Sequence, residues 1–262
     1  EQNIEEIIVA IDERRGGMPV KALLECKLQG VMVTDFSTFW ERENGKMDLD
    51  ALYPSWLIFS DGFVGGWMQA MAKRIFDVVA SGTLLLFSLP IMVFAALAIK
   101  MESRGPIFYR QERVGLNGET FMLLKFRSMR TDAEKDGVPR WADLNDSRVT
   151  RVGSFIRQTR IDEIPQIFNV LKGEMSFIGP RPERPFFVDE LRQVIPYYFE
   201  RHRVKPGISG WAQLNYPYGA SVEDAKEKFQ YDLYYIKNYS LFLDLIVLVQ
   251  TARVVLWPDG VR

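Results

Sequence analysis

The chain has few of the residues on which several common classes of protein depend. Its single cysteine, Cys26, excludes an intramolecular disulfide and is typical of a reducing compartment. Its single histidine, His202, excludes a zinc site built from histidines, and its basic surroundings predict a place at the surface or against a phosphate. The sequence begins with Glu-Gln-Asn, without an initiator methionine or a signal peptide, so we expect a fragment of a longer protein.

Several motifs of nucleotide and hydrolase chemistry are also absent. The sequence has no Gly-x-x-x-x-Gly-Lys-Ser/Thr loop, which argues against a P-loop NTPase. The run at 207–210 lacks the Gly-x-Ser-x-Gly spacing of a serine hydrolase. Asp48-Leu49-Asp50 matches the Asp-x-Asp pattern of metal-dependent glycosyltransferases, but it follows a polar stretch rather than a strand. We interpret it as a helix start and keep a soluble Asp-x-Asp glycosyltransferase as an alternative.

The net charge of −1 conceals an uneven distribution. Residues 1–72 carry 12 acidic and 6 basic side chains, whereas the remainder carries 22 acidic and 27 basic. A basic part beside an apolar segment suits anionic lipid headgroups or nucleotides, and we expect no nucleic acid as a partner.

The N-terminal part has the pattern of half a parallel α/β unit. Residues 7–11 predict a buried strand, residues 18–29 a helix that Gly30 ends, and residues 31–33 a second strand. This N-terminal part has no Gly-x-Gly-x-x-Gly turn, so we expect no cofactor there. Residues 1–66 are therefore predicted to be the C-terminal part of a Rossmann-like regulatory domain, which is also a candidate homodimer interface.

Residues 78–99 contain no charged side chain and could just cover a hydrocarbon core of about 30 Å. Pro90 interrupts the run, with Ser88 two residues before it, and proline kinks a helix. Basic residues flank both ends, Lys73 and Arg74 before the segment and Lys100 and Arg104 after it. Since basic flanks favour the cytoplasmic side, we predict a re-entrant helix over 67–104 with Lys73 and Arg74 at the membrane interface. A transmembrane span and a core helix of a soluble domain are the alternatives.

Mixed α and β patterns follow from residue 105 onward. Residues 107–113 and 120–126 predict a hairpin around Leu116-Asn117-Gly118. Helical patterns occur at about 149–159, 163–172, 185–203 and 222–236. The last, at 240–256, fits either a core helix or a helix at the membrane surface.

One helix start carries a pair of carboxylates. Asp162 and Glu163 precede Pro165, which is tolerated in a first helical turn, and Gly173 marks the end of the helix. Aspartate is a favoured N-cap, so capping alone explains Asp162. The functional alternative makes Asp162 a nucleophile on phosphorus and makes the pair ligands of Mg²⁺.

An anionic nucleophile that attacks a diphosphate needs cations nearby. Basic candidates for phosphate binding precede and follow the pair, and Arg181 and Arg184 belong to a stiff Gly-Pro-Arg-Pro-Glu-Arg loop. The complete set is Lys125, Arg127, Arg157, Arg160, Arg181 and Arg184. Each of them is also explained as a solvated surface charge.

The part of the chain from 73 to 256 resembles the bacterial sugar transferases that act as monotopic phosphoglycosyl transferases on polyprenyl phosphate. The matching runs are Lys-Arg-Ile-Phe-Asp at 73–77, Gln-Glu-Arg-Val-Gly at 111–115, Lys-Phe-Arg-Ser-Met at 125–129, the run Asp-Glu-Ile-Pro-Gln to Gly-Pro-Arg-Pro at 162–182 and Val-Lys-Pro-Gly-Ile-Ser-Gly-Trp-Ala-Gln at 204–213. The chain departs from the family pattern at the bend, where Leu89 rather than serine directly precedes Pro90.

The resemblance implies a bacterial enzyme at the cytoplasmic face of the inner membrane, of the type associated with exopolysaccharide assembly. Asp162 would attack the phosphate next to the sugar of a UDP-sugar, release UMP, and pass the phosphosugar to polyprenyl phosphate. Glu163 would assist, Mg²⁺ would bridge the diphosphate, and Lys125, Arg127, Arg157 and Arg181 would hold phosphates. The predicted fold is an α+β membrane-associated catalytic domain over 105–262, preceded by the re-entrant helix. The alternative is a non-catalytic assembly or regulatory protein of the same fold.

Overall fold

The computed structural model describes residues 4–11, 17–50, 62–63, 66–133, 148–217, 219 and 221–256. These residues divide into two compact units, one within residues 1–60 and the other within 61–262. The second unit contains both the long apolar helix and the elements that follow it.

The N-terminal unit contains the β-α-β arrangement that the sequence predicts. Its elements in chain order are β1 (Glu6–Val9), α1 (Val20–Leu28), β2 (Met32–Asp35) and α2 (Phe36–Asn44). The two strands pair in parallel, with Glu6 opposite Met32. The predicted burial of the first strand is wrong, because Ile8 is 39% exposed and α1 contributes no buried side chain to cover it. Beyond α2, the Asp50 amide donates to the Asp48 carboxylate at 3.0 Å, and the helix predicted to start there lies outside the described residues.

The second unit combines one long helix with short strands and helices. Its strands are β3 (Phe108–Val114), β4 (Thr120–Phe126), β5 (Ser176–Ile178) and β6 (Gly207–Ser209). Its α-helices are α3 (Trp67–Glu102), α4 (Arg151–Gln158), α5 (Gln166–Lys172), α6 (Pro185–Val194), α7 (Trp211–Asn215), α8 (Val222–Lys237) and α9 (Leu241–Leu256). Short 3-10 helices occupy Leu116–Gly118, Ile161–Glu163 and Tyr198–Arg203.

Helix α3 is one continuous helix of 36 residues that includes Pro90. At a rise of about 1.5 Å per residue it is about 54 Å long. Within the described residues it is the one helix that is long and apolar enough to cross a membrane. Most of its large apolar side chains face away from the rest of the unit, among them Phe87 and Phe94, each 73% exposed. The helix has no break at Pro90, so the predicted return of the chain there is not confirmed.

One side of α3 is buried along nearly its whole length. The residues of this buried stripe recur at helical spacing and are Lys73, Asp77, Ser81, Ser88, Met92, Ala95 and Ile99. Its C-terminal half packs on Phe126 of β4 and Ile156 of α4. Burial of such side chains contributes about 1.5–3 kcal/mol each, so α3 is part of the core of this unit as well as its apolar surface.

The β3–β4 hairpin is confirmed with an antiparallel register that places Val114 opposite Thr120. Its turn needs Asn117 and Gly118 at positive φ, which asparagine and glycine tolerate best. The predicted helix at 185–203 is wrong in its second half. Helix α6 ends at Val194 because Pro196 disfavours helical geometry at Ile195, and a 3-10 turn follows.

Candidate active site

The two carboxylates lie in the 3-10 turn between α4 and α5. Arg160 precedes the turn with a left-handed φ of 58°, which costs about 1–2 kcal/mol in a residue with a Cβ. The Ile164 amide donates to the Ile161 carbonyl and closes the turn. Pro165 is the N-cap of α5, so Asp162 precedes that cap and does not itself cap the helix. We call Asp162 and Glu163 the dyad.

Glu163 is held by two of the predicted cations. The Lys125 ammonium and the Arg181 guanidinium both donate to Glu163 Oε1, at 2.8 and 2.9 Å. Burial alone would raise the pKa of Glu163, but Arg181 and Lys125 outweigh it and hold that pKa well below its usual range. Glu163 is therefore a fixed anion between two cations, and both of these bonds are made to Oε1 rather than to its second oxygen, Oε2.

Asp162 has the opposite electrostatic environment. Its residue is 8% exposed, and no hydrogen bond to its carboxylate occurs in the described part of the chain. Burial and then the charge of Glu163 raise the pKa of Asp162, against the opposing charges of Lys125, Arg157 and Arg160. The structure thus brings five predicted residues close enough to interact electrostatically: the dyad, Lys125, Arg157 and Arg160. A poorly solvated carboxylate with a raised pKa is suited to act as a nucleophile.

Arg181 lies in a loop whose backbone makes hydrogen bonds at neighbouring residues. In this loop (residues 179–184), the Gly179 amide donates to Ser209 and the Gly207 amide donates to Pro180. A Cβ at Gly207 would lie 2.1 Å from the Gly179 nitrogen, so the close approach of the two chains requires glycine. These contacts join the loop to the segment at 207–209, and its stiffness stays a prediction.

Side chains complete the fixation of the same loop. The Arg201 guanidinium donates to the carbonyl of Arg181 at 3.0 Å and to the carboxylate of Asp232 at 2.8 Å. The Arg113 guanidinium donates to the carbonyl of Pro182 at 3.0 Å. Arg113, Arg201 and Asp232 were missed by the sequence analysis, because arginines and aspartates in polar runs have the pattern of surface residues.

Two predicted phosphate ligands have other contacts. Arg127 is buried and donates to the carbonyls of Ser103 and Arg104, at 2.9 and 3.1 Å. It therefore caps the C-terminal end of α3, where a cation is stabilised by the free carbonyls, and its donors are not directed at the dyad. Arg184 is the N-cap residue of α6, and its charge acts on the guanidinium of Arg113.

The residues predicted at the membrane interface are bound to the folded unit. Lys73 is buried, and its ammonium donates to Asp244 Oδ2 at 2.7 Å and to the Ile178 carbonyl at 2.9 Å. Arg74 donates to the carbonyls of Val170 and Leu171 at the C-terminal end of α5, at 2.6 and 2.7 Å. These contacts join residues far apart in the chain, which is why charge alone did not predict them.

The residues predicted at the membrane bend lie within the continuous α3. The Ser88 hydroxyl donates to the Leu85 carbonyl at 3.5 Å, which gives Ser88 a partner one turn before Pro90. Because a proline in a helix removes one backbone hydrogen bond, such local bonds help to satisfy the neighbouring polar groups.

Two further side chains were unrecognised or misplaced by sequence reasoning. Asn169 accepts from the Leu124 amide at 3.0 Å and donates to the Met122 carbonyl at 2.8 Å, so it joins α5 to the edge of β4. The sequence feature that could have indicated Asn169 is its position as a polar residue within the apolar run of α5. The predicted surface position of His202 is wrong: it is 4% exposed, and burial followed by the charge of Arg201 lowers its pKa to about 3.

The donor set of the dyad fits Mg²⁺ that arrives with a substrate. No group of three or more acidic, histidine or cysteine side chains suited to a metal occurs among the described residues. The two carboxylates provide hard oxygen donors, and Mg²⁺ is commonly bound by one or two carboxylates together with substrate phosphates. This chemistry does not fit a dedicated all-protein metal cage.

Residues 68–258 match the family described as bacterial sugar transferase. A UDP-N-acetylgalactosamine-undecaprenyl-phosphate N-acetylgalactosaminephosphotransferase of Aeromonas hydrophila is 41% identical over 251 residues, which are 96% of this chain and 58% of that relative. A UDP-glucose:undecaprenyl-phosphate glucose-1-phosphate transferase of Xanthomonas campestris pv. campestris is 45% identical over 184 residues, 70% of this chain and 38% of the relative. The same-named protein of Escherichia coli (strain K12) is 42% identical over 187 residues, 71% of this chain and 40% of the relative.

The chain spans less than two thirds of the length of each of these three relatives. The family match itself covers well over half of the chain and includes α3, the dyad and the loop of Arg181. It begins after Asp48 and Asp50, so it does not extend to the Asp-x-Asp alternative. The chain belongs to the bacterial sugar transferase family.

Proposed function

We propose that this chain transfers a sugar-1-phosphate from a UDP-sugar to polyprenyl phosphate through a covalent intermediate on Asp162. The observation that carries the proposal is the contrast within the dyad. Glu163 is a fixed anion bound by Lys125 and Arg181, whereas Asp162 is buried with a raised pKa and no bound donor in the described residues. The names of the three relatives support the same donor and acceptor classes.

In the first half-reaction, a carboxylate oxygen of Asp162 attacks the phosphorus that bears the sugar. The bond from that phosphorus to the oxygen bridging the two phosphates breaks, and UMP leaves with the bonding electron pair. An acyl phosphate on Asp162 then carries the sugar. In the second half-reaction, an oxygen of polyprenyl phosphate attacks the same phosphorus and releases the Asp162 carboxylate, which yields a lipid diphosphate-linked sugar.

The cations around the dyad offset the repulsion between the carboxylate and the diphosphate. Arg181 uses Nη2 to bind Glu163 and its side chain is 35% exposed, which leaves its other donors for a phosphate oxygen. Arg157 and Arg160 act on the charge of Asp162 from the side of α4. Mg²⁺, held by Asp162 and Glu163 together with the substrate, would supply further neutralisation of the diphosphate charge.

We propose that α3 enters the bilayer from the cytoplasmic face and returns to it. Both ends of the helix bind the same folded unit, which supports this arrangement: Lys73 pairs with Asp244 near the start, and Arg127 binds the carbonyl of Ser103 at the end. The basic residues on both flanks favour the same side of the membrane.

Helix α3 binds both of the helices that flank the dyad. Arg74 holds the end of α5, and the Glu102 carboxylate accepts from the Arg151 amide at the start of α4, at 2.8 Å. The dyad lies between α4 and α5, so we place the reaction at the inner face of the bacterial cytoplasmic membrane, where a polyprenyl phosphate headgroup is accessible. The resemblance in sequence supports a role in the first membrane step of exopolysaccharide assembly.

The test is release of UMP from a panel of UDP-sugars, with Mg²⁺ and polyprenyl phosphate, in detergent or nanodiscs. The native chain is compared with Asp162→Asn and with Asp48→Asn as a control outside the site. We expect at least one donor to give UMP, the Asp162 variant to give none, and the Asp48 variant to match the native chain. Equal rates for the native chain and Asp162→Asn would refute the proposal, and loss of activity in Asp48→Asn would favour the soluble Asp-x-Asp alternative.

A further inference from the structure

The first turns of α3 bind the short strand that leads to Arg181. The Asp77 carboxylate accepts from the Ser176 hydroxyl at 2.8 Å and from the Phe177 amide at 2.9 Å. One turn earlier, the Lys73 ammonium donates to the carbonyl of Ile178 at 2.9 Å. Two side chains of the apolar helix thus hold all three residues of β5.

Burial of these charged side chains costs free energy, so their presence between α3 and β5 indicates a specific role. Asp77 is 2% exposed and Lys73 is 7% exposed, and Asp244, the partner of Lys73, is fully buried. Buried ion pairs stabilise a fold little compared with apolar packing of the same volume, and one role supported in other systems is to specify a unique arrangement. In α3, that arrangement is the position of β5 against the helix.

The position of β5 determines where Arg181 lies. Strand β5 ends at Ile178, and Arg181 follows after Gly179 and Pro180. In the described structure, β5 pairs with β6 at two positions, and the hydrogen bonds of Asp77 and Lys73 join the same strand to α3. Arg181 then reaches Glu163 at 2.9 Å.

We propose that Asp77 is a positioning residue, which holds Arg181 in place against the dyad through β5. This inference rests on the proposed function only for its kinetic consequence. Asp77 lies on the helix and its carboxylate is bound by Ser176 and Phe177, so it has no contact with the dyad. Asp77 therefore affects turnover by determining the position of the Arg181 guanidinium.

The experiment uses Asp77→Leu, which keeps the number and branching of the side-chain heavy atoms and removes both hydrogen bonds. Asp77→Asn is the conservative variant, because its amide oxygen still accepts from the Phe177 amide. Ser81→Ala is the matched control: Ser81 follows one turn later on the same buried face, and its hydroxyl has no hydrogen-bond partner in the described structure.

The first readout is hydrogen exchange of the peptide that contains the loop at 179–184, measured on the full chain in nanodiscs. We expect at least tenfold faster exchange in Asp77→Leu, near-native exchange in Asp77→Asn, and native exchange in Ser81→Ala. Unchanged exchange in Asp77→Leu overturns the proposal. This readout needs no turnover, so it decides the positioning role even if the proposed function fails.

The second readout is UMP release in a double-substitution cycle with Arg181→Ala. Asp77→Leu alone is expected to lower kcat about tenfold with a smaller change in KM for the UDP-sugar. In the Arg181→Ala background the same substitution should change kcat less than twofold, since its effect passes through Arg181. A tenfold loss in both backgrounds would show general damage to the fold and would overturn the proposal.

Discussion

The shared contact of Lys125 and Arg181 with Glu163 predicts a specific pattern of stability. Lys125→Met keeps most of the aliphatic volume and removes the ammonium 2.8 Å from Glu163 Oε1. At that distance and an effective dielectric constant of about 20, the gross attraction is about 6 kcal/mol. The net loss is smaller, because desolvation of the lysine is also removed and Arg181 remains 2.9 Å from the same oxygen.

We expect Lys125→Met to lower the free energy of unfolding by about 1–3 kcal/mol, below the 3–5 kcal/mol typical when a buried charge loses its sole partner. Glu163→Gln alone should also destabilise, because it leaves Lys125 and Arg181 close together without an anion. The double variant should lose less than the sum of the two, by about 1–3 kcal/mol. The assay is unfolding in detergent followed by tryptophan fluorescence, with a shift of roughly 2–4 °C per kcal/mol for a chain of this size.

The control is Lys172→Met. Lys172 pairs with Glu174 but is 72% exposed, and exposed pairs contribute about 0–1 kcal/mol. A loss in Lys172→Met equal to that in Lys125→Met, or strictly additive losses in the double variant, would refute the reasoning that Glu163 is a buried anion shared by two cations.

Three further predictions concern the dyad and the apolar helix. Because Glu163 raises the pKa of Asp162, Glu163→Gln should move the acid limb of the pH profile of kcat/KM for UMP release to lower pH; an unmoved or higher limb contradicts this. A raised folded-state pKa means that the stabilising contribution of Asp162 is present below its unfolded pKa, about 3.9, and is lost as pH rises through the folded value. Asp162→Asn should therefore unfold at a higher temperature than the native chain at pH 7.5, with the difference shrinking as pH falls, and a constant difference would oppose it. Pro90→Ala should straighten α3 and favour a span, which cysteine labelling of both flanks in a Cys26→Ser background would detect; native flanks on opposite faces would rule out re-entry.

Local patterns predicted much of this molecule. The hairpin followed from alternating residues around Asn117-Gly118, and the end of α5 followed from Gly173, which has a φ of 93°. The dyad and Arg181 were recognised as candidates because carboxylates, arginines and stiff loops have the chemistry of phosphate transfer. In each of these cases the sequence pattern that supported the prediction lies within a few consecutive residues.

The partners of charged residues could not be predicted in this way. Lys125 lies in β4 and Arg127 directly follows that strand, yet Arg127 binds the end of α3 and Lys125 binds Glu163. Lys73 pairs with Asp244, which is 171 positions later in the chain. The partner of each basic residue depends on which elements pack together in the core. A basic residue beside an apolar segment has the same local sequence pattern whether it contacts a lipid headgroup or a buried aspartate.

The most direct test of the proposed mechanism is mass analysis of the chain after a single turnover without acceptor. The native protein is mixed with the UDP-sugar that gives UMP, in the presence of Mg²⁺, quenched in acid and digested. The mechanism predicts one equivalent of UMP and a sugar phosphate added to the peptide that contains Asp162, absent in Asp162→Asn and lost on addition of polyprenyl phosphate. Release of UMP only when polyprenyl phosphate is present, with no adduct on any peptide, would contradict a covalent intermediate and point to direct transfer between the two substrates.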